Sequence, residues 1–157
     1  MVTIISGGQS GVDRAALDAA IGLGLPYGGW CPKGGWAEDL PEPPGVLALY
    51  PQLRPTPEAD PVQRTEWNVR DSDRLMVLTD DAGLAVSQGT RLALRCAEVL
   101  GKPHMVVGLD APKALNQARA WREAGRGERL CVAGPRESEA PGIYEQAKIF
   151  LTTLLRR

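Results

Sequence analysis

The chain opens with Val2-Thr3-Ile4-Ile5-Ser6-Gly7-Gly8-Gln9-Ser10-Gly11-Val12-Asp13-Arg14, an apolar run that leads through a glycine-rich turn into a helical pattern. This order predicts a buried strand, a tight turn and a helix, the layout of a phosphate-binding βα corner. Glycine allows the backbone to approach a ligand closely, and the free N–H groups of a helix start favour an anion. The spacing matches neither the dinucleotide fingerprint nor the P-loop. The segment therefore indicates an anion or nucleotide site, with a ligand-free turn as the alternative.

Apolar runs and helical patterns alternate along the rest of the chain. The predicted strands are 2–5, 27–30, 75–78, 105–107 and 130–133. The predicted helices are 12–23, 61–72, 87–101, 111–124 and 143–155. This alternation predicts an α/β fold in one domain, residues 1–157: a doubly wound, mainly parallel, Rossmann-like sheet of about five strands with helices on both faces. Ligands bind such sheets at the carboxyl ends of the strands, where loops 6–11, 30–39, 79–90 and 133–142 would meet.

Composition narrows the classes of function. The chain has 157 residues, a net charge of −1 and 43% apolar residues, which is ordinary for a globular protein and argues against nucleic-acid and membrane partners. No apolar run approaches the ~20 residues of a membrane span. The first six residues carry no Lys or Arg, unlike a signal peptide, so we expect a cytoplasmic protein. Three scattered cysteines and one histidine predict neither a disulfide framework nor a metal site.

Residues 31–61 predict a long irregular loop, because they hold more than half of the 13 prolines. A loop of this length in a compact domain is usually functional or disordered, and its tryptophans argue against full disorder. Lys33 lies between glycines and tryptophans, which suggests a phosphate clamp beside a stacking surface. The alternative is that the tryptophans pack beneath the loop. Cys31 is either buried or faces a ligand.

Two helices carry further candidate ligand contacts. Arg64, Trp67, Asn68 and Asp71 share one helix face, which could bind a planar ring and its polar edge. A solvent-exposed face or a subunit contact would explain the same pattern. Downstream, Ser87-Gln88-Gly89-Thr90 opens a helix after a strand, so its N-terminus could meet the first turn at one anion.

The segment after the last predicted strand is Ala133-Gly134-Pro135-Arg136-Glu137-Ser138. Arg136 could reach a phosphate or carboxylate, although a capping turn for the last helix is the alternative. The binding residues predicted from these patterns are Gly7, Gly8, Gln9, Ser10, Gly11, Lys33, Arg64, Trp67, Asn68, Ser87, Gly89, Thr90 and Arg136. No nucleophile–histidine pair is evident, and His104 is interpreted as structural.

Four motifs together resemble those of the molybdenum cofactor carrier proteins. They are 7–13 (GGQSGVD), 29–34 (GWCPKG), 64–73 (RTEWNVRDSD) and 132–138 (VAGPRES). This family is related to the proteins once labelled lysine decarboxylases and to the cytokinin-activating phosphoribohydrolases. The resemblance spans nearly the whole chain. It implies a Rossmann-like fold, a homo-oligomer (dimer or tetramer) and a small phosphorylated ligand, either molybdenum cofactor or a nucleotide.

One position departs from the phosphoribohydrolases. They carry a catalytic glutamate three residues after the threonine of the second glycine turn, and here that residue is Ala93. Gln88 also stands where the family usually has glycine. We therefore predict a binding protein without catalytic residues. Two alternatives stay open: a hydrolase of N-glycosidic or phosphate bonds that uses Glu38, Asp39, Glu66 or Asp71, and an oligomeric scaffold or regulatory module.

Overall fold

The computed structural model describes residues 1–125 and 129–156. The strands are β1 (Thr3–Ile5), β2 (Tyr27–Gly28), β3 (Trp30–Cys31), β4 (Arg54–Pro55), β5 (Arg74–Thr79), β6 (His104–Gly108) and β7 (Arg129–Ala133). The α-helices are α1 (Val12–Gly22), α2 (Pro61–Arg70), α3 (Gly83–Val86), α4 (Gln88–Leu100), α5 (Ala114–Ala124) and α6 (Ile143–Leu155). Short 3₁₀ helices at Lys33–Gly35 and Gly45–Ala48 interrupt the proline-rich segment.

Five strands form one parallel sheet in the order β2-β1-β7-β5-β6. Alternate residues of its strands enter two different cores, as a period of two requires. Met76 and Leu78 pack with residues of α1, α5 and α6, whereas Leu75 and Val77 pack with residues of α2 and α4. Helices thus cover both faces, which confirms the predicted doubly wound α/β fold.

The central strand of the sheet, β7, is the last of the five along the chain. If β7 and α6 are counted first, the spatial order becomes 3-2-1-4-5, that of a doubly wound Rossmann sheet. The described chain therefore follows a circularly permuted path through this fold. The order reverses between β7 and β5, so the expected binding crevice lies beyond the carboxyl ends of these two strands.

The predicted strand at 27–30 is wrong as a single element. Gly29 has a φ of +131° and divides it into β2, which pairs with β1, and β3, which pairs with β4 in a separate two-stranded sheet. A Cβ at Gly29 would overlap the backbone of Ser6, so only glycine fits this crossing of two segments.

The proline-rich segment is more ordered than a loop. Its residues Cys31, Val46, Tyr50 and Leu53 are buried with Leu17 of α1 in a small core of their own. The predicted irregular segment 31–61 therefore contains regular structure, namely β4 and the two 3₁₀ helices. Burial of the apolar side chains in this small core stabilises these elements. The short helix α3 was also not predicted. Across the described residues, we find no helix with the length and apolar character that crossing a membrane requires.

Candidate functional site

A cavity of about 430 Å³ lies at the predicted edge of the sheet. It is bounded by the β1–α1 loop, α2, the start of α4 and the loop after β7. Its volume falls within the range of small-molecule sites. Eight of the predicted binding residues line it: Gly7, Gln9, Arg64, Asn68, Ser87, Gly89, Thr90 and Arg136.

Several N–H groups of the first loop donate to groups of the protein itself. The Gly8 N–H donates to Ser6 Oγ at 3.3 Å, and the Gln9 N–H donates to Asp13 Oδ2 at 3.4 Å. At the start of α1, the Val12 N–H donates to the Pro135 carbonyl at 3.2 Å. This loop therefore offers a phosphate fewer N–H groups than the glycine pattern predicts, because the Gly8, Gln9 and Val12 donors already have acceptors.

The side chain of Gln9 supplies a donor that the loop backbone does not. Its Oε1 accepts from the Ser10 N–H at 3.0 Å and from the Glu38 N–H at 2.9 Å. Two N–H donors on one side fix that amide atom as oxygen and the other as nitrogen. Gln9 is only 3% exposed, and its Nε2 has no acceptor within the described parts of the chain. The amide nitrogen is thus a buried, unpaired donor of a residue that lines the cavity.

Arg64 and Asp13 form a buried ion pair on the same wall. Arg64 Nη1 lies 3.4 Å from Asp13 Oδ2 and donates to the Gly7 carbonyl at 3.1 Å. Burial raises the pKa of Asp13, and the charge of Arg64 only partly opposes this. Burial likewise lowers the pKa of Arg64. Among the described residues nothing accepts from Arg64 Nε, which leaves a second buried donor without a partner.

The N-terminus of α4 forms the opposite part of the cavity. Ser87 caps this helix, since its Oγ accepts from the Thr90 N–H at 3.3 Å, and the two hydroxyls lie 2.7 Å apart. Gln88 and Gly89 occupy the first two helical positions, whose N–H groups have no partner inside a helix. A Cβ at Gly89 would meet nothing within 4 Å, so this helix start is open. The helix dipole makes it favourable for an anion.

Arg136 lies on the loop after β7. Its guanidinium is 5.7 Å from the ring centroid of Trp36, and its backbone N–H donates to Glu139 at 2.9 Å. The described chain offers the guanidinium no hydrogen-bond acceptor or salt-bridge partner. Arg136 is therefore a half-buried cation at the edge of the cavity. It also lies in a turn at 133–138, so the two interpretations of this segment are compatible.

Glu38 connects three loops around the site. Its carboxylate accepts from the hydroxyls of Ser10 and Ser138 and from the Ser138 N–H at 3.3 Å. Burial raises the pKa of Glu38, but the hydrogen bonds from Ser10 and Ser138 and the charge of Arg136 outweigh it, so the pKa is lowered overall. Ser10 accepts in turn from the Glu137 N–H at 3.2 Å. The hydrogen bonds of Glu38 thus hold the proline-rich segment against the two loops that line the cavity.

The predicted ring-binding face of α2 is divided between two roles. Arg64 lines the cavity, but the Asn68 amide is engaged with the backbone of Trp30 through contacts of 2.8 and 2.9 Å. Trp67 packs edge-on against Trp30, with centroids 4.8 Å apart, and Asp71 accepts from Trp30 Nε1 at 2.9 Å. Most of this face therefore holds β3 against α2.

Five predicted residues do not line the cavity: Gly8, Ser10, Gly11, Lys33 and Trp67. Gly8 faces Val46 and Leu53, and Gly11 lies against the backbone of Pro135 and Arg136. Lys33 is exposed, and its phosphate-clamp role stays a prediction. Cys31 is fully buried and does not line the cavity, and burial raises the pKa of its thiol to about 11.

The four acidic residues that the hydrolase alternative would use lie outside the cavity. Glu38, Asp39, Glu66 and Asp71 do not line the cavity, whereas Asp13 and Asp60 do. Ala93 faces the cavity at the position where the resemblance places a catalytic glutamate. From the sequence, a carboxylate at Asp13 in the first turn of α1 would either repel a phosphate or accept N–H groups within the loop, and in the structure it accepts from the Gln9 N–H. Its partner Arg64 is 51 residues away along the chain, so no local signal predicted the ion pair.

The fold and this site define a Rossmann-like protein of permuted strand order with a donor-lined cavity at its switch point. The model of the circularly permuted YpsA SLOG family matches residues 4–155, and the chain belongs to this family. A crystal structure of a "Putative molybdenum carrier protein" from Syntrophus aciditrophicus SB is 37% identical, with a TM-score of 0.86. The match covers 99% of this chain and 95% of that protein. No curated protein matches the chain.

Family membership agrees with two observations made on the chain itself. The strand order is that of a permuted Rossmann sheet, and the family is described as circularly permuted. The molybdenum carrier family suspected from the four motifs is supported by the Syntrophus structure. A carrier or binding role is thus supported at the level of the family.

Proposed function

We propose that the cavity binds a small phosphorylated heterocycle, in the manner of a molybdenum cofactor carrier or a nucleotide-binding protein. The observation that carries the proposal is the pair of unpartnered buried donors, Gln9 Nε2 and Arg64 Nε, which belong to residues that line the cavity together with the open N-terminus of α4. Buried donors without acceptors are costly unless a ligand supplies the acceptors. The name of the Syntrophus protein supports molybdenum cofactor as one candidate ligand.

The ligand phosphate is assigned to the N-terminus of α4. There the Gln88 and Gly89 amides, the helix dipole and Arg136 all favour negative charge. The first loop is the poorer phosphate site, because Asp13 already accepts its Gln9 N–H and carries negative charge beside it.

Thermal stability measured with AMP, GMP, neopterin monophosphate, molybdate and inorganic phosphate tests the proposal. A ligand at ~100 times its Kd should stabilise the fold by ~2.7 kcal/mol. The informative variant is Gly89→Asp, since an acid in the first turn favours the helix but repels a phosphate. Gln117→Glu, an exposed change of the same charge on α5, is the matched control.

Stabilisation by a phosphorylated ring compound that is lost in Gly89→Asp and kept in Gln117→Glu supports the assignment. No stabilisation by any of these compounds contradicts a phosphorylated ligand and favours a scaffold role. The expected homo-oligomer is part of the proposal, and light scattering measures it independently.

A further inference from the structure

The polar groups of Gln9, Arg64 and Asp13, which line the cavity, have a fixed hydrogen-bonding character that a ligand ring must match. Gln9 Nε2 is a donor by necessity, because Oε1 is held by two backbone N–H groups. Arg64 Nε is a donor under all conditions, since guanidinium has no acceptor. Both side chains are more than nine-tenths buried and line the cavity, and neither atom has a partner in the described chain.

Asp13 supplies an acceptor beside these donors. Its Oδ2 already accepts from the Gln9 N–H and from Arg64 Nη1, each at 3.4 Å. Within the described residues no hydrogen bond uses Oδ1 of this carboxylate, which also lines the cavity. The three groups belong to residues that line one cavity, and Asp13 contacts both of the others through its Oδ2.

Resting on the proposed function, we propose that these three groups bind a ring edge with a carbonyl, a ring N–H and an exocyclic amine in sequence. The carbonyl would accept from Gln9 Nε2 and Arg64 Nε, and the N–H and amine would donate to Asp13. Guanine and pterin both present this 2-amino-oxo edge. Adenine presents an amine and an unprotonated ring nitrogen in the corresponding places, so its amine would face the two donors.

The direct test is the affinity of the wild-type chain for GMP, IMP, AMP and neopterin monophosphate, measured by calorimetry at one pH and salt concentration. We expect GMP or neopterin monophosphate to bind at least tenfold more tightly than AMP, because a mismatched edge leaves buried polar groups unpaired. IMP keeps the carbonyl and N–H but lacks the amine, so it should lie between GMP and AMP. The tighter of GMP and neopterin monophosphate identifies the source of the ring.

Gln9→Glu is the matched variant. Its carboxylate can keep one oxygen on the Ser10 and Glu38 N–H groups while it replaces the donor Nε2 by an acceptor. We expect a tenfold or larger loss of GMP or pterin affinity and little loss for AMP, so that the preference collapses. Gln117→Glu controls for the added charge, and far-UV circular dichroism with urea unfolding shows whether each variant is folded.

The binding measurements distinguish failure of the ring-edge assignment from failure of the proposed function. Equal or tighter binding of AMP in the wild type, or an unchanged preference in a folded Gln9→Glu variant, overturns the assignment of the ring edge. Binding of inorganic phosphate without any ring preference overturns this inference but leaves a phosphate site at α4. No binding of any compound, phosphate included, is the failure of the proposed function itself.

Discussion

Gly11 is the residue at which the chain turns into α1. Its φ is +79°, and a Cβ there would overlap the backbone carbonyl of Pro135, with the Glu137 nitrogen only 2.8 Å away. Both the left-handed backbone and the close approach of two loops therefore require glycine. Packing between loops thus requires glycine at this turn, independently of any ligand contact made by this residue.

We expect Gly11→Ala to lower the free energy of unfolding by about 2 kcal/mol or more, because it adds backbone strain to a backbone overlap. Gly22→Ala is the control, since a Cβ at Gly22 meets nothing within 4 Å and its φ is not positive. The control should be neutral or stabilising by up to about 1 kcal/mol. Urea unfolding measures both, and equal stabilities of the two variants would contradict the argument.

Glu38 makes the joining of the three loops sensitive to acid. Its pKa is lower in the folded chain than the ordinary value of 4.5. The unfolded chain therefore binds the proton more readily, and the stability from Glu38 is present above about pH 4.5 and is lost as pH falls through the folded-state pKa. We expect Glu38→Gln to be less stable than the wild type at pH 7 and to lose less stability between pH 6 and pH 3.

Urea unfolding at each pH checks this expectation. The comparison variant is Glu139→Gln, because Glu139 lies on the loop after β7, accepts from the Arg136 N–H and does not join the proline-rich segment. Identical pH profiles for the wild type and Glu38→Gln would show that the serine hydrogen bonds do not stabilise the ionised carboxylate.

At the scale of elements, the C-terminus of α5 is held by an arginine from the sheet. Arg74 of β5 donates to the carbonyls of Trp121 and Arg122, and its guanidinium lies 3.6 Å from the centroid of the Trp121 ring. The carbonyls at the C-terminus of a helix have no partner within the helix, and a cation there interacts favourably with the negative end of the helix dipole. This contact explains why a charged residue is buried at the start of a sheet strand.

We expect Arg74→Lys to lower the free energy of unfolding by about 1–3 kcal/mol, because lysine lacks the planar fork that reaches two carbonyls while stacking on tryptophan. Arg119→Lys, the same change at an exposed position of α5, should remain within about 0.5 kcal/mol of the wild type. A folded Arg74→Lys variant of wild-type stability in urea would show that a point charge suffices at this helix end.

Strands and helices with regular apolar patterns could be predicted from sequence, since β1, β5 and β7 are apolar runs and α1, α4 and α6 have apolar faces. The division of 27–30 could not, because it depends on the crossing of Gly29 over Ser6. The same holds for the site. Glycine and serine patterns located the loops, but the Arg64–Asp13 ion pair and the bond from the Val12 N–H to the Pro135 carbonyl join residues far apart in the chain, so no local pattern predicts them.

At the scale of the molecule, the permuted strand order can be reversed. β7 and β1 are parallel neighbours, and α6 returns from the carboxyl edge of the sheet towards the edge where β1 begins. A short linker from the end of α6 to the start of β1 would complete an ordinary right-handed βαβ crossover. Opening the chain between α5 and β7 would then give the strand order 3-2-1-4-5.

We expect this permutant to fold to the same sheet, because no described strand pairing or helix contact needs to change. The circular dichroism spectrum of the permutant, and its thermal stabilisation by the phosphorylated compounds, should match those of the parent chain. The free energy of unfolding should change only through the linker. Making the permutant with each of two linker lengths tests whether a strained connection causes any loss of stability. Loss of the fold with both linkers would contradict the proposed equivalence of the two chain orders.

The position of β7 also has a consequence during synthesis on the ribosome. When residues 1–125 have been translated, the β1–β2 and β5–β6 pairs can form, but nothing yet lies between them. The nascent chain then presents two unpaired strand edges, which are templates for association with other chains. The emergence of Leu130, Cys131 and Val132 joins the two pairs of strands into one sheet and completes both cores and the ligand cavity. Ligand binding would thus be acquired at the very end of translation of this segment, and a stalled ribosome upstream of β7 would hold a chain that can aggregate but cannot yet bind.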